Sequence, residues 1–369
     1  MSNLYNLIDN LAISGRSISN TDKSRICLFY ANQGRKVIFD HAQKRKMIPF
    51  IAHLFCKLEL DRDFWSKHAE QYKSRNLIIL EILSQIFKNF HNANIYSIFL
   101  YENFGALISS ETEISLFASG DVDLYTDFFN KNKIYSIMES HCFMPTNKGK
   151  RSEKVKTEFF NKKLFNNGFG INVMWVPMSR LKLPFNMDIN NCISVDSLKR
   201  YKDTEIMLPS NEALMYLCLL HISIHSFSRS PDIRLYADII NMCKLNVNWI
   251  IIMGYAKQDN TVIRIATAAI LTKKLFNIEI PSFVLDYENE QSEVSKLIKL
   301  VYDDNKNVLK CPPNSMDILR IETYSDGKGL LKGIYDIIFP EKKWVMSYYE
   351  ESIVIKGYFK HIVNLIRGV

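Results

Sequence analysis

The stretch FASGDVDLYTDFF, residues 117–129, sets Asp121 and Asp123 one residue apart inside a β-prone run. In an extended chain, residues i and i+2 fall on one face. Asp121, Asp123 and Tyr125 should therefore share a side, with Val122 and Leu124 turned to the core. Two carboxylates this close resist joint ionisation unless a cation lies between them. The spacing suggests a divalent-metal site. Other chemical groups are less pointed. His221 and His225 stand at i, i+4, a spacing that zinc ligands use. No acidic residue accompanies them in the manner of an HExxH motif, and the apolar setting LCLLHISIHSF favours packing histidines. Arg234 and Asp238 repeat the i, i+4 spacing and would suit a modest surface ion pair. Lys148, Lys150, Arg151, Lys154 and Lys156 form a basic run that reads as a solvated loop, with a grip on an anion as the minor reading.

The frame that must hold these groups is bounded by composition. With 369 residues, 47% hydrophobic and 23% charged, the chain can fill two or three domains' worth of core. No segment is both long and apolar enough to cross a membrane; NWIIIMGYA is too short. The opening MSNLYNLIDN lacks the basic-then-apolar pattern of a signal peptide. Seven cysteines are scattered without a CxxC, as expected of reduced thiols in a cytoplasmic protein. A net charge of +8 favours a polyanionic ligand but falls short of a dedicated nucleic-acid binder.

Hydrophobic periodicity predicts helices over residues 1–92. In SRNLIILEILSQIFKNFH, Leu77, Leu80, Leu83, Phe87 and Phe90 fall near one helical face. IYSIFL (95–100) reads as a short buried strand, followed by a short helix opened by Gly105-Ala106. DVDLYTD (121–127) is a second strand and KNKIYSIMESHC (131–142) a second helix. VKTEFF (155–160) and GINVMWV (170–176) then read as strands joined through the turn-rich NNGFG. From about residue 205 the pattern is helical again, with Pro209 and Ser210 ahead of Glu212 as a helix start. The expected organisation is α+β: a small mixed sheet at 93–204 between helical regions at 1–92 and 205–369.

Strand, Gly-small turn, helix, then a strand bearing Asp-x-Asp resembles the nucleotidyltransferase superfamily that includes DNA polymerase beta. The chain is similar, over most of its length, to a bacterial family of uncharacterised nucleotidyltransferases. HAQKRKMIPFIA (41–52) resembles that family's N-terminal helical segment, and FGALISS with GDVDLYTD its catalytic core. LPSNEALMYLCLLHISIHSFSRSPDIRLYADIINM (208–242) resembles its signature helices, and FPEKKWVMSYY (339–349) with GYFKHIVNLIRG its C-terminal end. The resemblance implies a nucleotidyltransferase sheet in which Asp121 and Asp123 hold Mg²⁺ (or Mn²⁺) against a nucleoside triphosphate. It also implies that Gly105 and Ala106 lie at a close backbone approach to the triphosphate, with Ser119 and Gly120 at the same mouth. Arg234 and Asp238 would line the cleft, Arg234 meeting phosphate.

The third carboxylate that the resemblance leads one to expect on the neighbouring strand is replaced by Asn172 in Ile171-Asn172-Val173-Met174-Trp175. An amide can offer an oxygen to a metal but cannot act as a general base. Glu158, one strand away and with Lys156 on its face, is the candidate substitute. The aromatics Trp344, Tyr348 and Tyr349 read as helix packing rather than a base-stacking platform.

The expected activity is an NTP- and Mg²⁺-dependent nucleotidyl transfer to a small-molecule, peptide or protein acceptor. No motif for duplex nucleic acid accompanies the core. Asn172 supports a rival reading, a catalytically impaired relative that binds nucleotide or a partner. A transferase of sugar or phosphate from an activated donor is a second rival.

Overall fold

The computed structural model describes residues 2–126, 128–148, 153, 156–175, 198–227, 232–310, 320–321, 324–325, 335, 338–339, 342–349 and 352–367. Five helices open the chain: α1 (Ser2–Ser14), α2 (Asn20–Gln33), α3 (Arg35–Lys44), α4 (Ile48–Leu58) and the long α5 (Arg62–Asn92). Ser19 caps α2 by accepting the Asp22 amide, and Gly34, at φ 77°, makes the sharp passage into α3. The buried face of α5 carries Asn76, Ile79, Leu83, Ile86, Phe87 and Phe90. Leu77, expected on that face, is 48% exposed, because the face is set one residue earlier and includes the polar Asn76.

A five-stranded mixed sheet follows, with its helices interleaved in sequence. The elements are β1 (Phe99–Tyr101), α6 (Glu102–Ser109), β2 (Asp121–Tyr125), α7 (Lys131–Ser140), β3 (Met144–Pro145), β4 (Lys156–Asn161) and β5 (Phe169–Met174). The strand order is β1-β2-β5-β4-β3. β2 and β5 run parallel at the centre, and every other pairing is antiparallel. The chain is therefore α+β, as the alternation of patterns implied. Two boundaries differ from expectation. β1 starts at Phe99 rather than Ile95, and α6 opens at Glu102, three residues before Gly105. The β4–β5 turn closes at Gly168, whose φ of 72° an L-residue rarely adopts.

The remaining long helices are α8 (Asn211–Ile224), α9 (Leu235–Cys243), α10 (Trp249–Gln258), α11 (Val262–Phe276), α12 (Ser292–Val301), α13 (Lys342–Tyr349) and α14 (Val354–Arg367). As the sequence predicts, Ser210 caps α8, its hydroxyl accepting the Ala213 amide at 3.2 Å. Tyr349 is buried and its hydroxyl meets His361 Nδ1 at 3.0 Å across α13 and α14. The side chains of Trp344 and Tyr348 lie outside the described residues. No described helix is long and apolar enough to cross a membrane.

Two hydrophobic cores result. One combines α1–α4 and Trp65 of α5 with α8–α12, so helices that precede and follow the sheet in sequence close over shared side chains. The other joins the C-terminal half of α5 to the sheet, α6 and α7. At a rise of about 1.5 Å per residue, α5 is about 46 Å long and reaches both.

Candidate functional site

Strand alternation does at β2 what the sequence suggested. Val122 and Leu124 are fully buried, while Asp121 and Asp123 are half-buried on the other face. Parallel pairing puts Asn172 of β5 opposite Asp123, and antiparallel pairing puts Glu158 of β4 opposite Asn172. Directly paired residues share a face, so Asp123, Asn172 and Glu158 form one row. The Asn172 amide donates one hydrogen to Asp121 Oδ2 at 2.9 Å and the other to Asp123 Oδ1 at 3.0 Å. Ser119 Oγ donates to Asp121 Oδ1 at 2.7 Å. The carbonyl of the exposed Gly120 accepts from the Gly170 amide at 3.1 Å, extending the β2–β5 pairing to the mouth.

Glu158 lies two strand spacings from β2, about 10 Å. Lys156 Nζ pairs with it at 2.8 Å, so its charge is already answered. Lys150, Arg151 and Lys154 of the basic run fall outside the described residues, and Lys148 is exposed.

A second wall comes from α6, α8 and α9, which pack on one another. Glu102, the first residue of α6, is 5% exposed and holds φ 56°. That left-handed turn, uncommon for a residue with a side chain, breaks the alternation of β1 and starts the helix. Glu102 Oε2 meets His221 Nδ1 of α8 at 2.9 Å. His225 lies beside His221 with ring centroids 4.9 Å apart. Asp238 sits in the first turn of α9, and Arg234 ends the short turn before it. The Nε of Arg234 is buried and has no hydrogen-bond partner among the described residues.

Charge ties the two walls together. Burial, then Glu102 and Asp121, push the Asp123 carboxyl up to about 7, against the Asn172 hydrogen bond and His221. Burial also pushes Asp238 up to about 7, with Glu102 adding to it and Arg234 and His221 opposing. For His221, burial disfavours the charged ring. The charge and hydrogen bond of Glu102, then Asp123 and Asp238, outweigh burial and hold it at about 9. Among the described residues, Glu102, Asp121, Asp123 and Asp238 thus face two basic groups, His221 and Arg234, so carboxyl groups outnumber cations.

Of the residues singled out from sequence, Asp121, Asp123, Asn172 and Ser119 are joined directly by hydrogen bonds, with Gly120 beside them. Asp238 and Arg234 reach the same cluster through charge. Gly105 and Ala106 do not lie at an open turn. Both are buried inside α6, where a Cβ on Gly105 would sit 3.2 Å from the Leu100 carbonyl oxygen and 3.5 Å from Leu214. The close approach at Gly105 is packing against protein backbone, and the helix opens at Glu102 rather than at Gly105-Ala106 as expected. Two groups went unassigned in the sequence. Glu102 was missed because its direction depends on a positive φ that YENFGA does not announce. His221 read as packing because its partner comes from α6, far away in the chain.

Among the described residues, no group of three or more His, Cys, Asp or Glu side chains is arranged to hold a metal ion. The donors that remain are two carboxylates on one face, each with lone pairs to spare beside the Asn172 amide. Mg²⁺ commonly takes one or two protein carboxylates and completes its shell with substrate phosphates and water. This donor set, with its surplus negative charge, fits an ion that arrives with a phosphate ligand and does not fit a closed protein cage. No family model, no curated protein and no solved structure matches this chain.

Proposed function

We propose that the chain is a nucleotidyltransferase that uses a nucleoside triphosphate with Mg²⁺ (or Mn²⁺) and modifies a small-molecule, peptide or protein acceptor. The observation that carries this reading is the Asp121–Asp123–Asn172 group on two adjacent parallel strands, beside the exposed Gly120. In such a reaction an acceptor oxygen or nitrogen attacks the α-phosphorus, and pyrophosphate leaves. A bound divalent ion would supply Lewis-acid stabilisation of the charge on the phosphate oxygens.

The chain's own residues take distinct parts. Asp121 and Asp123 would hold the ion, and Asn172 fixes the rotation of both carboxylates through its two N–H groups. Ser119 holds the other oxygen of Asp121. Arg234, with a buried Nε left without a hydrogen-bond partner among the described residues, is suited to a phosphate oxygen. Glu102 orients the His221 ring through Nδ1. In this reading the β1-β2-β5-β4-β3 sheet is a nucleotidyltransferase core.

One observation favours a second reading. Asn172 occupies the β5 position facing both carboxylates, and an amide takes no proton from an acceptor. A protein that binds metal and nucleotide without turnover would look the same at this row. Thermal shifts with each of the four NTPs plus Mg²⁺ or Mn²⁺, with products scored by mass, separate the two. Pyrophosphate with a mass adduct on an acceptor supports transfer. A metal-dependent shift without product supports the binder. No metal-dependent shift with any NTP, or a full shift in Asp121→Asn, removes both.

A further inference from the structure

The segment leading into Asp121 is held from α5. Asn76 is fully buried and donates both amide hydrogens to backbone, to the Ile114 carbonyl at 2.7 Å and the Phe117 carbonyl at 2.9 Å. Its Oδ1 accepts from Arg75 Nη1 at 3.0 Å. A flipped amide would set its oxygen against two carbonyls, so the network fixes its orientation. The second arm of Arg75, Nη2, donates to the Ser119 carbonyl. The Ser119 hydroxyl then donates to Asp121 Oδ1. One continuous chain of contacts therefore runs from α5 to the metal-facing carboxylate.

The setting of Arg75 is unusual for a cation. Its guanidinium lies over the rings of Tyr72, Phe117, Phe165 and Phe169, at 5.9, 5.8, 5.6 and 5.6 Å from their centroids. Among the described residues no carboxylate pairs with it. A planar, weakly hydrated fork of donors suits stacking together with aimed hydrogen bonds, where a lysine's point charge does not. Phe169 opens β5, and Phe165 lies in the turn before it. Arg75 therefore touches the approach to both parallel strands, the one bearing Asp121 and the one bearing Asn172.

We propose that Arg75, seconded by Asn76, is a positioning residue that locks the Ser119–Gly120–Asp121 segment in the geometry that metal and nucleotide require. Its consequence for nucleotide binding rests on the function proposed above; the locking itself does not. Hydrogen exchange read by mass spectrometry on the full chain tests the locking. Arg75→Ala is expected to raise exchange over residues 117–122 by roughly tenfold while α8 and α11 stay unchanged. Free guanidinium at non-denaturing concentration should restore the protection, and Arg75→Lys should not. Arg75→Gln, which keeps one donor arm, serves if Arg75→Ala does not fold. Calorimetry with Mg²⁺ and ATP supplies the second arm: affinity should fall roughly tenfold in Arg75→Ala and recover with guanidinium. Unchanged exchange over 117–122, full restoration by Arg75→Lys, or loosening spread across the whole sheet would each overturn the proposal. If exchange responds as expected but the wild type binds no NTP with metal, the locking stands and the proposed function falls.

Discussion

Asp123 is a carboxyl whose surroundings oppose its ionisation, and that has a measurable consequence in metal-free protein. Burial raises its pKa to about 7, above the ordinary value near 4. The folded state therefore binds the proton more tightly than the unfolded state, and stability falls as pH rises from about 4 through 7. Asp238 adds in the same direction over the same window. His221, held at about 9, contributes stability that is complete below about 6.5 and is lost as pH rises through 9. Melting curves in chelator should thus show declining stability from acid to alkaline pH. Asp123→Asn should flatten that decline and stabilise the protein at pH 8 by on the order of a few kcal/mol. An Asp123→Asn protein less stable than wild type at pH 8 would contradict the charge surplus. Added Mg²⁺ with NTP should reverse the decline by binding the native state alone. Asn172→Asp, which adds a further carboxylate to the row, should melt lower in chelator and bind Mn²⁺ more tightly, as read by calorimetry. At this scale the paired aspartates were legible because period-two alternation is local. Glu102 and His221 were not, since each acquires its role only from the other.

Elements set how firmly that row is held. The β4–β5 turn fixes the register that sets Glu158 opposite Asn172, and it closes at Gly168. A Cβ there would lie 2.4 Å from the Phe160 ring on a backbone of φ 72°. Gly168→Ala should therefore cost about 1–3 kcal/mol by denaturant unfolding, through strain and ring displacement together. Ser210 caps the helix that carries His221, and Ser210→Ala should cost about 1 kcal/mol. An unchanged midpoint would mean that the cap is replaced by water. The start of α8 could be read from sequence because capping chemistry is local. The inward face of α5 could not be read from apolar residues alone. Asn76 belongs to that face because it satisfies two carbonyls, and its inclusion turns the buried stripe away from Leu77. The opening of α6 was also hidden, because a glutamate rather than a glycine takes the left-handed residue at its start. Four of the five strands could be read from apolar runs and turn residues, while the two-residue β3 (Met144–Pro145) was too short to announce itself. The pairing order, which sets Asn172 between Asp123 and Glu158, depends on long-range contacts that periodicity does not encode.

At the scale of the molecule, the N-terminal helices and α8–α12 share one core, and this makes the site's helical wall depend on residues far from it. Ile8 and Leu11 of α1 are almost fully buried in the cluster that contains Leu235, Ile239 and Ile240 of α9 and the apolar face of α11. α1 packs directly on α9 and α11. Because α9 also carries Asp238 and packs against α6, loosening α1 should reach the charged cluster without touching it. Leu11→Ala removes a fully buried side chain and should cost about 2–5 kcal/mol, from lost burial and the cavity left behind. If these two helical groups unfold as one body, hydrogen exchange in Leu11→Ala should accelerate in α9 and α11 as well as in α1 and α4. The second core, which joins α5 to the sheet, should lose protection less, since Ile79, Leu83 and Phe87 belong to a cluster that contains no residue of α1. Acceleration confined to α1–α4 would mean that the N-terminal helices open alone. The wall bearing His221 and Asp238 would then be self-supporting, and the shared core would be a seam between two units rather than one.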